Sequence, residues 1–273
     1  MQTALAPIDW VQAQEAVRRA SARVTAMLRT VRHPDAPAVG GWNLTEVTAH
    51  LSHTIDVIAA MAKGGGGLLP DVWELASMTR ALVTGEGERD LGRLADRIDA
   101  STAHLLALMG EAGADDPHPW LVQGIDFQLS NLTCHALNEL TVHGRDIALA
   151  EGLRWPIPRS DAALVVCGFL FPSLAGLGRS MVNEKTAADV RASYEIHVRG
   201  GCRTVFRFDK RDLSVEPPGG GPVDCHLSVD PAAFLLVAWG RMSQWRAIPR
   251  GQLLAWGRRP WLGLKLRTYL KNP

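Results

Sequence analysis

The sequence predicts two domains, an N-terminal all-α up-and-down helical bundle followed by a C-terminal α+β domain. Up to residue 150, apolar residues recur at spacings of three and four, as they do on one face of a helix. After residue 190 they alternate with polar residues, as they do in half-buried strands. Because 273 residues are enough for two ordinary domains, we expect one domain at 1–153 and another at 154–273.

Short segments rich in glycine, proline and polar residues separate the helices of the first half. Asn43 is expected to cap the second helix, because Glu46 three residues later completes a capping box. The segment DDPHPW, residues 115–120, predicts a turn before the last helix. The predicted helices cover 9–32, 43–62, 71–83, 88–111 and 126–150.

The second half mixes helices and strands. Asp230 and Pro231 predict a helix start, with the aspartate as cap and the proline in the first turn. The apolar run from Asp161 is short and contains a proline, so we interpret it as a buried helix and expect no membrane span. Strands are predicted at 193–200, 203–209, 224–230 and 251–257, and helices at 160–181, from 231 and at 260–270.

The composition, 47% hydrophobic and 21% charged, is that of a soluble globular protein. The N-terminus has no basic head followed by an apolar stretch, so we expect no secretory signal and a cytoplasmic location. The four cysteines, at 134, 167, 202 and 225, form no CxxC pair and are predicted to be buried reduced thiols.

The charge is divided unequally, with a balance of −8 over residues 1–151 and +9 over 152–273. This asymmetry suggests either two domains that attract each other or a second domain that supplies cations to an anionic ligand. The basic residues are scattered and match no nucleic-acid-binding motif, so no nucleic-acid partner is expected. We expect a monomer or a homodimer.

A set of ionisable residues on predicted inward faces points to a metal site. Glu139 and His143 are four residues apart on the last helix of the bundle, and His50 lies on an apolar stripe of the second helix. Helical bundles build metal sites from such side chains on facing helices. Two imidazoles and one carboxylate suit Zn²⁺, with Ni²⁺ as an alternative, and three protein ligands leave a position open for a substrate.

Other interpretations of these residues stay open at this point. Glu139 and His143 could form a solvent-facing pair, and His50 could be a hydrogen-bonded core histidine. Two histidines and one carboxylate also form the ligand set of non-haem iron oxygenases, although there the ligands do not usually lie on bundle helices.

Two segments resemble the DinB-like, mycothiol-dependent maleylpyruvate isomerase family: GWNLTEVTAHLSH, 41–53, and NELTVHGRDIALA, 138–150. Residues 200–273 resemble the sterol-carrier-like α+β domain that ends members of this family. The resemblance implies that His50, Glu139 and His143 bind a divalent metal, usually zinc, with mycothiol as co-substrate. It also implies that Arg241 faces the active site, although Arg241 could equally cap the preceding helix.

The sequence departs from the family pattern at several positions. Gly41 replaces a proline before Trp42, and His53 and His135 are additional imidazoles. We expect these two histidines, and Asp146, to orient metal ligands or to support the structure rather than to bind the metal.

The expected function is metal-dependent activation of a low-molecular-weight thiol, mycothiol, for S-transfer or thiol exchange onto a small electrophilic substrate. One alternative is mycothiol-dependent cis–trans isomerisation of the maleylpyruvate type. Another is a non-catalytic small-molecule or lipid-binding protein, in which the C-terminal domain would hold an apolar ligand.

Overall fold

The computed structural model describes residue 5 and residues 7–111, 113–219 and 221–271. The chain divides into two compact units, Asp9–Ile157 and the residues from Pro158 onward. The predicted combination of a helical bundle with an α+β domain is confirmed.

Four long helices form the bundle. Helices α1 and α2 each pack against both α4 and α5, and α3 lies against α2. Their buried apolar faces make a continuous core that includes Val17, Leu51, Leu94 and Leu137. The helices are α1 Trp10–Leu28, α2 Leu44–Ala62, α3 Leu75–Gly85, α4 Leu91–Glu111 and α5 Leu129–Ala150.

The capping box at the start of α2 is confirmed. The Asn43 side chain accepts a hydrogen bond from the Glu46 backbone N–H, and the Glu46 carboxylate accepts one from the Asn43 backbone N–H. These bonds satisfy two backbone groups and fix where the helix begins. The position of His50 in the second turn of α2 is therefore determined locally.

Two small hairpins of the bundle were not predicted. The strands β1 Pro37–Val39 and β2 Trp42–Asn43 pair before α2, and β3 Pro117–Pro119 and β4 Asp126–Gln128 pair before α5. The predicted turn at 115–120 is thus wrong in part, because all three residues of β3 lie inside it. Helix α5 begins at Leu129 rather than at residue 126, since residues 126–128 belong to β4.

The second unit contains a five-stranded sheet in the order β7-β6-β5-β8-β9. Strands β5 and β8 are parallel and the other neighbours are antiparallel. The predicted strands are present, and β7 is an additional one. The strands are β5 Arg191–Val198, β6 Arg203–Asp209, β7 Asp212–Glu216, β8 Cys225–Val229 and β9 Leu253–Trp256.

The predicted helix at 160–181 is present but is not regular. A π-helical turn, Val166–Leu170, separates α6 Arg159–Val165 from α7 Phe171–Leu177. Pro172 has no N–H for the carbonyl four residues earlier, so the α-helical hydrogen bonding cannot continue unchanged. The segment Arg159–Met181 is apolar enough to span a membrane by length and composition, but 56% of its apolar window is buried within the protein. Phe171 packs edge-on against Phe206 of β6, as expected for a core helix.

The remaining helices of this unit are short. Helix α8 covers Glu184–Ala187, α9 covers Pro231–Ala238 with the predicted Asp230 cap, and α10 covers Gln244–Ala247. The prediction of one continuous closing helix at 260–270 is wrong, because this segment forms two elements: a 3₁₀ turn, Pro260–Leu264, and the single helical turn α11 Leu266–Tyr269. Within the 3₁₀ turn, Gly263 lies close to the sheet, where an added Cβ would be 2.8 Å from Ala255 Cβ.

The prediction that all four cysteines are free is wrong. Cys167 and Cys202 form a disulfide, with Cα atoms 5.8 Å apart. Cys134 and Cys225 are buried free thiols, as expected. Sequence separation could not reveal the pair, because the two cysteines meet only when the π-helical turn Val166–Leu170 and the turn after β5 pack together.

Candidate metal centre

Three side chains from two neighbouring helices of the bundle converge on one point. His50 lies on α2, and Glu139 and His143 lie one turn apart on α5. His50 Nε2 is 3.2 Å from His143 Nε2 and 3.6 Å from Glu139 Oε2. The third side of the triangle, from His143 Nε2 to Glu139 Oε2, is 3.5 Å.

The triangle has the dimensions of one face of a tetrahedral zinc site. Nitrogen and oxygen ligands lie about 2.0–2.1 Å from Zn²⁺, so two tetrahedral ligands are separated by about 3.3 Å. The three observed separations, 3.2, 3.5 and 3.6 Å, bracket this value. Within the described part of the chain, this is the group of histidine, cysteine and acidic side chains close enough to share an ion. The residues therefore fit a divalent cation.

The orientation of the His50 ring is fixed by Thr54, one turn later. The Thr54 hydroxyl donates its proton to the His50 carbonyl oxygen at 2.9 Å, and its oxygen lies 3.3 Å from His50 Nδ1. Since a hydroxyl has one proton, the oxygen must accept the Nδ1–H of the ring. Nδ1 then carries the proton, and the lone pair of Nε2 faces the triangle.

His143 has a comparable neighbour in Asp146. His143 Nδ1 lies 3.2 Å from Asp146 Oδ2, and Asp146 is buried. The two groups are close, but their geometry is not that of a hydrogen bond. A carboxylate beside Nδ1 favours the proton on that nitrogen and leaves Nε2 available as a ligand.

The electrostatics of the triangle favour metal-binding protonation states. Burial lowers the pKa of His50 below its ordinary value, which favours the neutral ring. Burial alone would raise the pKa of Glu139, but the nearby imidazoles, with that of His50 first among them, outweigh it and lower the pKa. A buried carboxylate therefore stays ionised beside two ring nitrogens, as metal ligands must be.

The second carboxylate oxygen of Glu139 contacts two other buried groups. Asn138 Nδ2 donates a hydrogen bond to Glu139 Oε1 at 2.9 Å, and His135 Nε2 lies 3.6 Å from the same oxygen. The Trp120 indole N–H points at His135 Nδ1, with 3.5 Å between the nitrogens. Burial lowers the pKa of His135 to about 4, so this ring is neutral at pH 7.

The helical unit and the sheet unit match two different family models. Residues 14–148 match the mycothiol maleylpyruvate isomerase N-terminal domain, and residues 175–258 match the SCP-2 sterol transfer family. The helical unit therefore belongs to the mycothiol maleylpyruvate isomerase N-terminal domain family. The three converging residues all lie in that domain, and the expected sterol-carrier-like domain is confirmed.

Two solved structures share the fold over nearly the whole chain. A histidine-to-alanine variant of the mycothiol-dependent maleylpyruvate isomerase is 12% identical with a TM-score of 0.53, and covers 93% of this chain and 95% of its own. The unsubstituted isomerase is 13% identical with a TM-score of 0.51, over the same shares of both chains. No curated protein sequence matches the chain.

The departure from the family pattern at Gly41 has a backbone cause. Gly40 and Gly41 form the turn between β1 and β2 and have φ values of +59° and +86°. Proline is restricted to φ near −65°, so it could not occupy position 41 in this turn. The turn places Trp42 next to the site, with its ring centroid 5.3 Å from that of His50.

His53, one turn after His50, contacts a different group. Its Nε2 lies 3.0 Å from Glu86 Oε2, and the same oxygen accepts a hydrogen bond from Arg97 Nη1 at 2.8 Å. His53 is therefore outside the triangle, next to an arginine–glutamate pair. A role in orienting the site stays a prediction.

Arg241 lies in the second unit, just after α9. Its Nη1 donates a hydrogen bond to the carbonyl oxygen of Trp239 at 2.9 Å, the capping contact considered from the sequence. Its predicted catalytic role stays a prediction.

Several residues around the triangle were not predicted from the sequence. Thr54 and Asn138 carried a signal, because one is four residues from His50 and the other is adjacent to Glu139. Trp120 carried none, since it reaches α5 only through the β3–β4 hairpin. Such contacts depend on tertiary folding and not on sequence spacing.

Proposed function

We propose that this protein is a metal-dependent enzyme that activates the thiol of mycothiol and transfers the sulfur to a small electrophilic substrate. One observation carries the proposal: two imidazole nitrogens and a carboxylate oxygen lie 3.2–3.6 Å apart in the domain that matches the isomerase family. The family assignment itself supports mycothiol-dependent catalysis.

The chemistry requires the thiolate form of the co-substrate. A free thiol has a pKa of about 8.5 and is mostly protonated at pH 7, whereas the thiolate is the nucleophile. A divalent cation held by His50, Glu139 and His143 would lower the pKa of a thiol placed at the remaining position. Thr54 accepts the Nδ1 proton of His50, and the Asp146 carboxylate beside His143 Nδ1 favours the proton there, so that both Nε2 atoms are available as ligands.

The sulfur then attacks an electrophilic carbon. In S-transfer, a C–S bond forms and the leaving group departs with the electron pair of its own bond to carbon. The second candidate function is cis–trans isomerisation, which is favoured by the names of the two solved structures. There the thiolate adds to a conjugated alkene, the former double bond rotates, and elimination regenerates the thiolate and the alkene.

Product analysis tests both candidates. Zinc-loaded protein is incubated with mycothiol and either maleylpyruvate or a panel of electrophiles that carry leaving groups. We expect a thioether of mycothiol with at least one electrophile, or the trans isomer with unchanged mycothiol. His143→Ala should abolish either reaction, and His104→Ala, which removes an exposed histidine of the same unit, should not.

Lipid binding is the competing outcome. If the purified protein contains no metal, binds a fluorescent fatty acid tightly and yields no mycothiol product when supplied with zinc, it is a carrier and the enzymatic proposal is wrong. One equivalent of metal together with a mycothiol product supports the enzyme.

A further inference from the structure

The oxygen of Glu139 that faces away from the triangle contacts two groups. Oε1 accepts the Asn138 side-chain hydrogen bond and lies 3.6 Å from His135 Nε2. Glu139 and His135 are 8% and 4% exposed, so water does not compete freely for this oxygen. The orientation of a ligating carboxylate is commonly set by such contacts to its other oxygen.

The tautomer of His135 is determined by Trp120. An indole N–H is only a donor, and the Trp120 N–H points at His135 Nδ1 at 3.5 Å. Nδ1 is therefore the acceptor of the neutral ring, and the single ring proton lies on Nε2. The nitrogen that carries this proton lies 3.6 Å from Glu139 Oε1, one turn along the same helix.

Trp120 is itself held rigidly. Its ring stacks on Phe127, with centroids 4.7 Å apart, and its backbone N–H donates to the Ile125 carbonyl at 2.8 Å. The β3–β4 hairpin thus fixes the indole against α5. The sequence of contacts runs from the hairpin through the indole and the imidazole to the carboxylate.

We propose that His135 is a positioning residue that holds Glu139 Oε2 toward the metal, and that Trp120 acts through it by fixing its tautomer. The inference rests on the proposed metal site and adds a residue that touches neither metal nor substrate. His135 Nε2 lies beside Oε1, on the side of the carboxylate away from the triangle, and His135 is not a member of the group able to share an ion. These two observations distinguish His135 from a fourth ligand of the metal.

Zinc affinity measured by competition with a chromophoric chelator tests the proposal without relying on activity. His135→Phe keeps an aromatic ring without the N–H, and we expect the Kd for zinc to rise about 10-fold or more. His135→Gln keeps an N–H donor and should recover part of this loss. Trp120→Phe should raise the Kd by a smaller factor.

The double variant tests whether Trp120 acts through His135. If it does, Trp120→Phe combined with His135→Phe should bind zinc as weakly as His135→Phe alone. Trp10→Phe is the matched control, because it removes another indole N–H that donates to α5, at Thr133, away from Glu139. The absorption bands of the Co²⁺-loaded protein should keep their positions in His135→Phe, since the metal ligands are unchanged.

Three results would overturn the proposal while leaving the metal site intact. They are a Kd for His135→Phe within twofold of the unsubstituted protein, fully additive effects of the two substitutions, or Co²⁺ bands that shift as they do in His143→Ala. If the unsubstituted protein itself binds no zinc, the proposed function fails and the positioning role fails with it. A cooperative unfolding transition, measured for each metal-free variant, shows whether that variant is folded.

Discussion

The Nε2 atoms of His50 and His143 lie 3.2 Å apart, with a carboxylate oxygen of Glu139 within 3.6 Å of both. Thr54 accepts the Nδ1–H of His50, and the Asp146 carboxylate, 3.2 Å from His143 Nδ1, favours the proton on that nitrogen. Three electron-rich atoms therefore face one another at the edge of a buried core. Such a cluster is costly unless a cation or a shared proton lies between its members. A divalent cation satisfies all three atoms at once.

The contact between Thr54 and His50 predicts an effect on metal affinity. Thr54→Val keeps the shape of the side chain but removes the oxygen that accepts His50 Nδ1–H. We expect the Kd for zinc to rise about 10-fold, because the ring loses the partner that fixes its tautomer. Thr54→Ser keeps the hydroxyl and should bind zinc like the unsubstituted protein. Equal affinity of the valine and serine variants would show that the hydroxyl plays no part.

The close packing around Gly144, next to His143, predicts that a larger residue at this position lowers stability. An added Cβ would lie 2.7 Å from Val24 Cγ2 and 2.8 Å from Trp155 Cζ2. We expect Gly144→Ala to lower the free energy of unfolding by about 1–3 kcal/mol in urea, because α1 and Trp155 must move. Gly110→Ala is the control, since open space surrounds Gly110 in α4. It should leave stability unchanged or raise it by up to about 1 kcal/mol. A stabilised Gly144→Ala variant would contradict the close packing.

The lowered pKa of Glu86 predicts a pH-dependent contribution of this carboxylate to stability. Hydrogen bonds from the Glu88 backbone and the Arg97 guanidinium lower the pKa of Glu86 from 4.5 to about 2. A carboxylate whose pKa is lower in the folded state stabilises the protein above its ordinary pKa, and this stabilisation is lost as the pH falls toward 2. Glu86→Gln should therefore be less stable than the unsubstituted protein by about 1 kcal/mol at pH 7.

Urea unfolding at several pH values checks this expectation. The difference between Glu86→Gln and the unsubstituted protein should shrink steadily between pH 4.5 and pH 2. Glu74→Gln, at an exposed position, serves as the control and should show no such change. A difference that stays constant across this range would mean that the Glu86 carboxylate is not held in its ionised form.

The Cys167–Cys202 disulfide predicts redox-dependent stability. The two cysteines are 35 residues apart. A cross-link over this distance lowers the conformational entropy of the unfolded chain, which stabilises the folded state by about 3–4 kcal/mol. Cys202→Ser should lower the free energy of unfolding of the second unit by about this amount. A reductant should lower the free energy of unfolding of the unsubstituted protein to the value of Cys202→Ser, and it should leave the stability of Cys202→Ser unchanged. Four reactive thiols in denaturant without reductant, in place of two, would show that the bond does not form.

The sequence predicted features that depend on local geometry. The capping box follows from the spacing of Asn43 and Glu46, and the pairing of Glu139 with His143 follows from helical periodicity. These contacts are made within one helix. The facing position of His50 depends on how α2 packs against α5. The apolar stripe of the second helix indicated that His50 lies on an inward face, and the resemblance to a family supported its place among the ligands.

The features that were missed depend on tertiary contacts or on very short elements. Strand β3 has three residues, two of them prolines, which is too short for an alternating pattern and unfavourable in strands generally. The disulfide and the contact of Trp120 with His135 join residues from separate elements, so spacing along the chain carries no signal for them.

Calorimetric titration of the metal-free protein with zinc tests the central claim most directly. Binding of one equivalent by the unsubstituted protein, and its loss in each of His50→Ala, Glu139→Gln and His143→Ala, is the expected result. His104→Ala should bind as the unsubstituted protein does. Absence of stoichiometric binding, or binding that survives all three substitutions, would contradict the assignment of these residues as ligands of a shared cation.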